Sequence, residues 1–177
     1  MAEDLAFLPV RIAVLTVSDS RGPADDRSGD LLVERLAAAG HVLADRAIVR
    51  DEQTAIEDRL RAWVADPSVD LVISTGGTGL TGRDVTVEAH AAVYQKAAPA
   101  FGVLFTMLSF AKIGTAAVQS RACAGVAGGT YLFALPGSPG ACRDAWDGIL
   151  AAQLDSRHRP CNFVEIMPRL EEHLRRK

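Results

Sequence analysis

The stretch from Leu71 to Asp84 constrains the fold most, because it joins three kinds of local structure. It opens as an apolar run typical of a buried strand, continues as the glycine-rich turn 76–82, and ends just before a predicted helix. Glycine lets backbone N–H groups approach an anion, and a helix N-terminus adds positive potential. The turn is therefore predicted to bind phosphate or a similar anion. Because Asp84 is unfavourable beside a bare phosphate, we expect a metal ion or a proton there as well.

Apolar runs and helical repeats alternate along the rest of the chain. The predicted elements, in chain order, are a strand at 10–18, a helix at 28–39, a strand at 41–50, a helix opening at Thr54, a strand at 70–74, helices at 86–94 and 99–110, strands at 121–127 and 130–135, and a helix opening at Pro139. The initial order βαβαβ is typical of an α/β layered domain with a mostly parallel sheet. With no linker or repeat, we expect a single domain over 1–177, with its core at about 10–163.

Capping signals set several of these boundaries. Gly40 stands where a C′ glycine ends a helix, and Thr54, with a glutamate three residues later, matches a capping box. Thr86 is predicted to cap one later helix and Ser138 another. Glycines 128–129 predict a hairpin turn between the last two strands.

Composition excludes several classes of protein. The 177 residues are about half apolar and carry a formal charge of −3, so bulk charge does not favour nucleic acid. No run is long enough to span a bilayer, and the acidic start is unlike a signal peptide. Three cysteines without CxxC spacing predict reduced thiols, and four histidines show no zinc-ligand spacing. We expect a cytoplasmic protein that binds neither nucleic acid nor membrane.

The glycine turn has other interpretations. Gly77, Gly79 and Gly82 match the GxGxxG fingerprint of dinucleotide-binding proteins. However, the turn follows the third strand, and the ribose-binding acid expected about twenty residues later is missing. Neither Asp nor Glu occurs between Glu88 and Asp144, and no P-loop GxxxxGK[ST] occurs anywhere. An ordinary strand-to-helix turn would need fewer glycines, so anion binding is the favoured interpretation.

Asp51 follows the second predicted strand, as Asp84 follows the third. Ligands of an open α/β sheet bind outside the carboxyl ends of its strands, so both aspartates could face one site. Two carboxylates beside a triphosphate are the usual protein ligands of Mg²⁺. Taken alone, Asp51 fits a solvated turn residue better, and the hydroxyls and carboxylate of segment 16–19 fit loop caps as well as site groups.

The acid-free stretch after Glu88 contains several basic side chains: His90, Lys96, Lys112, Arg121 and Arg143. Two interpretations stay open. These residues line one electropositive cleft suited to a polyphosphate, or the stretch is rich in core residues and merely short of charge.

Several motifs together resemble the MoaB/MogA family of molybdenum cofactor biosynthesis, over nearly the whole chain from Arg11 to Phe163. They are the segments Thr75–Gly79, Arg83–Thr86 and Leu135–Pro139, and segments 107–110, 119–122 and 159–163 favour the MoaB branch. The resemblance implies an α/β fold, a three-layer αβα sandwich with a mostly parallel mixed central sheet.

The resemblance also implies an adenylyltransferase. The terminal phosphate of molybdopterin attacks the α-phosphate of ATP, giving adenylyl-molybdopterin and pyrophosphate, with Mg²⁺ as cofactor. Asp51 and Asp84 match the family's two functional aspartates and would organise Mg²⁺. Some MoaB-branch proteins lack one or both and look inactive, whereas both are present here, so we predict an active enzyme. The implied substrate-binding residues are Ser18, Ser28, Thr75, Gly76, Gly77, Thr78, Gly79, Arg83, Ser109, Pro136, Gly137 and Ser138.

The alternative is a non-catalytic molybdopterin-binding protein of the same pathway. A nicotinamide or flavin enzyme and a purely structural scaffold fit the residues less well. The resemblance further implies trimers paired into hexamers, and passage of the product to a downstream molybdate-insertion protein. The apolar segment 97–110 is consistent with such an interface or with a core helix.

Overall fold

A computed structural model of the chain describes residues 5–175. The elements, in chain order, are β1 (Arg11–Val17), α1 (Arg27–Ala38), β2 (Val42–Val49), α2 (Gln53–Val64), β3 (Leu71–Thr75), α3 (Thr86–Val93), β4 (Lys96–Ala97), α4 (Pro99–Ile113), a 3₁₀ helix (Gly114–Gln119), β5 (Cys123–Ala127), β6 (Thr130–Leu135), α5 (Pro139–Ala145), a π-helical turn (Trp146–Leu150), α6 (Ala151–Gln153), α7 (Phe163–Ile166), a 3₁₀ turn (Met167–Arg169) and α8 (Glu172–Arg175). The predicted βαβαβ order at the start is confirmed. The two-residue strand β4 was not predicted, because it is too short for a period.

The sheet has six strands in the order β2-β1-β3-β6-β5-β4. Strands β2, β1, β3 and β6 run parallel, whereas β5 and β4 are antiparallel to their neighbours. The β5–β6 connection turns at Gly128 and Gly129, which have φ of 52° and 81°. The sheet is therefore mixed and mostly parallel, as predicted.

Apolar side chains pack on both faces of this sheet. Along β3, Leu71 and Ile73 belong to one core cluster, while Val72 between them belongs to the other. The first cluster includes side chains of α1, α4 and α5, and the second includes side chains of α2 and α3. A strand buried on both faces reads as a continuous apolar run, which explains the sequence pattern. The predicted three-layer αβα arrangement is confirmed.

Helix ends follow the predicted caps in part. Gly40, with φ of 86°, lies just after α1, and Ser138 caps α5 through its side-chain oxygen. Helix α2 begins at Gln53, so Thr54 lies within its first turn and the predicted capping box is wrong. Thr86 is the first residue of α3 and not its N-cap. Its hydroxyl instead donates to a carbonyl of the glycine turn at 2.8 Å.

Helix α4 and the 3₁₀ helix after it form one apolar segment, Pro99–Gln119, of 21 residues. A window within it has a mean hydropathy of 1.6, and by length and composition it could cross a membrane. The prediction that no run is long enough is therefore wrong, because the helical segment continues well past Phe110. One side of this segment packs in the protein core, where Phe101 and Phe105 are buried. Only 22% of the apolar window is buried in this way.

Candidate functional site

The carboxyl ends of β1, β3 and β6 meet at one edge of the sheet and border a cavity of about 540 Å³. Strand order reverses between β1 and β3, and open α/β sheets bind ligands outside such a switch point. A larger cavity, of about 630 Å³, lies near Arg11 and Asp70 at the opposite ends of these strands. Because it lacks the glycine turn, we place the candidate site in the cavity at the carboxyl edge, here called the site cavity.

Residues from five loops line the site cavity. They are Val17 at the end of β1 and Ser18, Ser20 and Arg21 after it, Asp51 after β2, Gly76–Gly79 and Asp84 after β3, Gln119 and Ser120 before β5, and Pro136, Gly137, Ser138 and Pro139 after β6. Segments far apart in the sequence thus meet because parallel strands end at the same edge.

The glycine turn is shaped by a close approach between backbones. Gly76 has φ of 105°, and a Cβ at this position would lie 2.2 Å from the carbonyl oxygen of Val17. Gly77 also has a positive φ, 62°. The Gly76 N–H donates to the carbonyl of Leu135 at 3.0 Å, which ties the turn to β6. Glycine is therefore required here by both conformation and space.

Asp51 and Asp84 lie against this turn. A Cβ on Gly77 would be 3.0 Å from Oδ1 of Asp51, and one on Gly79 would be 2.7 Å from Oδ2 of Asp84. The backbone N–H and the hydroxyl of Thr81 donate to Oδ2 of Asp84 at 2.8 and 2.7 Å. Both aspartates line the site cavity, so the glycine turn and two carboxylates border the same space.

The two carboxylates differ in their affinity for protons. Burial raises the pKa of Asp51 above its ordinary value, and the negative charges of Asp19 and Asp84 raise it further. The Thr81 hydroxyl lowers the pKa of Asp84, with help from nearby backbone N–H groups. Asp84 is therefore ionised at neutral pH. The crowding of negative charge around Asp51 is what a bound cation would relieve.

Four predicted site residues do not line the site cavity, and two of them, Arg83 and Ser109, lie outside it. The Arg83 guanidinium forms a two-pronged ion pair with Asp19, with Nη2 to Oδ2 at 2.7 Å and Nε to the same oxygen at 3.0 Å. Asp19 also accepts a hydrogen bond from the backbone N–H of Asp51 at 3.2 Å. Arg83 therefore neutralises a carboxylate that is bonded to a residue of the site cavity. Ser109 is buried on α4, outside the cavity lining.

Two further predicted residues are buried behind the cavity wall. The Thr75 hydroxyl donates to the carbonyl of Pro136 at 3.0 Å, and the Ser28 hydroxyl donates to that of Gly137 at 2.9 Å. Both side chains are fully buried. They anchor the segment after β6 to the ends of β3 and α1. The other predicted residues line the cavity itself: Ser18, Gly76, Gly77, Thr78, Gly79, Pro136, Gly137 and Ser138.

Arg121 supports the glycine turn, a role that sequence reasoning missed. Its Nε donates to the carbonyl of Gly79 at 2.8 Å, and its Nη2 donates to the carbonyl of Asp84 at 3.0 Å. The guanidinium is also paired with Glu88. The preceding residues, Gln119 and Ser120, line the cavity. The sequence did mark this region, because segment 119–122 is one of the motifs that resemble the MoaB branch, but it assigned Arg121 no contact with the glycine turn.

The basic residues of the acid-free stretch do not share one cleft. His90 is fully buried, with its ring nitrogens near Ser74 Oγ at 2.9 Å and Tyr94 OH at 3.1 Å. Lys112 is paired with an aspartate of α5, and Arg121 is paired with Glu88. None of the five basic residues lines the site cavity within residues 5–175, so the electropositive-cleft interpretation is wrong.

The chain is an α/β protein of the open-sheet class, with a glycine turn and two carboxylates that border one cavity at the carboxyl edge of its sheet. Residues 13–156 match the sequence family described as a probable molybdopterin binding domain. Molybdenum cofactor biosynthesis protein B of Escherichia coli K12 is 51% identical over 157 residues, which are 89% of this chain and 92% of the relative. The chain therefore belongs to the MoaB/MogA family of molybdenum cofactor biosynthesis proteins, as its motifs predicted.

Solved structures agree with this assignment. A crystal structure of molybdenum cofactor biosynthesis protein B is similar with a TM-score of 0.86 and 37% identity, covering 95% of this chain and 99% of that one. The tungsten cofactor synthesizing protein MoaB from Pyrococcus furiosus is similar with a TM-score of 0.71 and 30% identity, covering 95% and 98%.

Proposed function

We propose that this protein transfers AMP from MgATP to the terminal phosphate of molybdopterin, in the cytoplasm. The observation that carries this proposal is the placement of Asp51 and Asp84 against one glycine turn in one cavity. A phosphate oxygen of molybdopterin forms a bond to the α-phosphorus of ATP. The bond from that phosphorus to the oxygen bridging the α- and β-phosphates breaks, and pyrophosphate leaves.

The residues of this chain act mainly by positioning the two substrates and by balancing their charge, as expected for phosphoryl-type transfer. Backbone N–H groups of residues 77–79 hold phosphate oxygens, because Gly77 and Gly79 carry no side chain that would keep an anion away. The Gly76 N–H is already bonded to the carbonyl of Leu135. Ser138 adds the N-terminus of α5, whose N–H groups also favour negative charge. Asp51 and Asp84 supply the negative charge that keeps a cation beside these phosphates.

The two aspartates suit Mg²⁺ rather than a metal held by protein alone. Within residues 5–175, no group of three or more His, Cys, Asp or Glu side chains could hold a metal ion. Mg²⁺ keeps several waters and takes phosphate oxygens along with one or two carboxylates, so a pair is sufficient. Burial raises the pKa of Asp51, and the negative charges of Asp19 and Asp84 raise it further, so a cation bound beside this carboxylate would favour its ionised form. When bound, Mg²⁺ would neutralise the charge that develops on the phosphates.

The test is pyrophosphate release by the purified protein supplied with molybdopterin and MgATP. We expect wild-type protein to release pyrophosphate and Asp84→Asn to lose this activity. Arg143→Ala, on the exposed side of α5, is the matched control and should retain it. Molybdopterin binding without any pyrophosphate from the wild type would instead identify a non-catalytic pterin-binding protein.

We also propose that the chain self-associates, as a trimer or a hexamer, through the exposed face of α4 and the 3₁₀ helix. Six large apolar residues of this segment are exposed: Val103, Leu104, Met107, Phe110, Ile113 and Val118. Burying such a face against a second copy removes apolar area from water. A downstream molybdate-insertion protein is the proposed acceptor of the product.

A further inference from the structure

A second cavity, of about 610 Å³, adjoins the site cavity. It lies between the loop after β1 and the last residues of β2, again at the carboxyl edge of the sheet. Ser18 and Arg21 line both cavities, so the two spaces meet at these residues. The second cavity is here called the arginine cavity, because Arg21, Arg46 and Arg50 line it.

Two of the three guanidiniums are available to a ligand. Arg46 is already neutralised, with ion pairs to Asp26 and Asp30 at 2.7 Å each. Arg21 donates only weakly to the Ser28 hydroxyl, at 3.4 Å. In the described part of the chain, neither Arg21 nor Arg50 forms an ion pair with a carboxylate.

One carboxylate, that of Asp19, also lines the arginine cavity. Its charge is balanced by Arg83, which is not part of the cavity lining and binds both of its oxygens. The remaining charge of the cavity is therefore positive. Guanidinium groups bind phosphate oxygens with two parallel donors, so a polyphosphate is the class of ligand that fits best.

The geometry of the proposed transfer gives this cavity a role. In phosphoryl transfer the attacking and leaving oxygens lie roughly in line, on opposite sides of the phosphorus. The attacking phosphate and the departing pyrophosphate therefore need separate spaces that meet at the α-phosphorus. The site cavity and the arginine cavity are two such spaces, joined at Ser18 and Arg21.

We infer that Arg21 and Arg50 hold the β- and γ-phosphates of ATP in the arginine cavity, and hold pyrophosphate there after the transfer. This inference rests on the proposed function, since it assigns a place to the leaving group of that reaction. Arg50 lines only the arginine cavity, so it can be changed without altering the lining of the site cavity.

The experiment is a calorimetric titration of the full-length protein with inorganic pyrophosphate, with a chelator present to exclude divalent metal. We expect the wild type to bind, and Arg50→Ala and Arg21→Ala each to bind about tenfold more weakly, the factor lost with one charge-assisted hydrogen bond. Arg143→Ala removes the same charge outside both cavities and should bind like the wild type. Arg50→Gln keeps most of the aliphatic stem and a polar end without the charge, and it replaces Arg50→Ala if that variant does not fold.

Wild-type affinity in the Arg50 variant, or no pyrophosphate binding by the wild type, would overturn the inference. The measurement uses neither ATP nor molybdopterin, so it separates the two proposals. A protein that never releases pyrophosphate from ATP can still bind it through Arg50. If the enzyme is active but its affinity for pyrophosphate does not depend on Arg50, the proposed function stands and the assignment of the arginine cavity is wrong.

Discussion

Replacing Gly76 by alanine tests whether the glycine turn is set by the backbone of β1. The new Cβ would lie 2.2 Å from the carbonyl oxygen of Val17, and the residue would need a φ of 105°. A non-glycine residue held in such a conformation costs roughly 1–3 kcal/mol. Relieving the contact requires a backbone shift, and overpacking of this kind costs roughly another 1–3 kcal/mol.

The shift also strains the hydrogen bond from the Gly76 N–H to Leu135, worth roughly 1 kcal/mol. Together these effects predict that Gly76→Ala lowers the free energy of unfolding by about 3 kcal/mol or more. Urea denaturation followed by circular dichroism measures this change. Such a loss is a large fraction of the stability of an ordinary domain, so the midpoint should move clearly.

Gly82→Ala is the matched control within the same turn. A Cβ on Gly82 would meet nothing within 4 Å, and its φ is not positive. We expect its free energy of unfolding to stay within about 0.5 kcal/mol of the wild type. If Gly76→Ala and Gly82→Ala unfold at the same urea concentration, the backbone contact with Val17 does not determine the turn.

Three further predictions concern the support of the site, its pH dependence and its assembly. Arg121→Ala should increase amide hydrogen exchange across residues 78–84, because the carbonyls of the turn lose their donor, whereas exchange in β2 should not change. Burial lowers the pKa of His90 to about 3, so between pH 6.5 and 3 the unfolded chain binds a proton that the folded protein does not. The free energy of unfolding should therefore decrease as the pH is lowered through this window. In denaturation series at pH 4 to 6, His90→Gln should reduce the slope of that free energy against pH by up to roughly 1.4 kcal/mol per pH unit, which corresponds to one proton. Met107→Lys should shift the protein toward monomer in light scattering, whereas Val42→Lys, an exposed apolar site on β2, should not; a monomeric wild type would contradict the interface.

The order of the longer strands and helices could be predicted because the hydrophobic period of each one is visible in its own residues, whereas β4 and the short turns after α5 are too brief to show one. The continuous apolar run of β3 is explained by burial on both faces, and Asp51 and Asp84 could be placed because each follows a parallel strand. The capping box at Thr54 failed for a different reason. A cap depends on where the preceding chain turns into the helix, and several residues in that loop could fill the position equally well.

The role of Arg121 could not be predicted from pattern. The sequence placed it at the start of the predicted strand 121–127, but β5 begins at Cys123, and the partners of Arg121, namely Gly79, Asp84 and Glu88, lie more than thirty positions earlier. The same limit applied to Arg83, for which the family resemblance implied a substrate contact. Its orientation depends on Asp19, which reaches it only after β1 and β3 have paired.

Asp84→Asn separates two consequences of one carboxylate, its charge and its hydrogen bonds. The oxygen that lies against Gly79 accepts both donors of Thr81, and an asparagine Oδ1 in that position can accept the same two bonds. We therefore expect the turn to keep its conformation, with a change in unfolding free energy within about 1 kcal/mol. What disappears is the negative charge beside the phosphates, which the proposed transfer needs in order to retain Mg²⁺. Molybdopterin should accordingly still bind in an equilibrium assay while pyrophosphate release stops. If binding and release fall together, Asp84 orders the turn rather than holding a cation, and its proposed role is wrong.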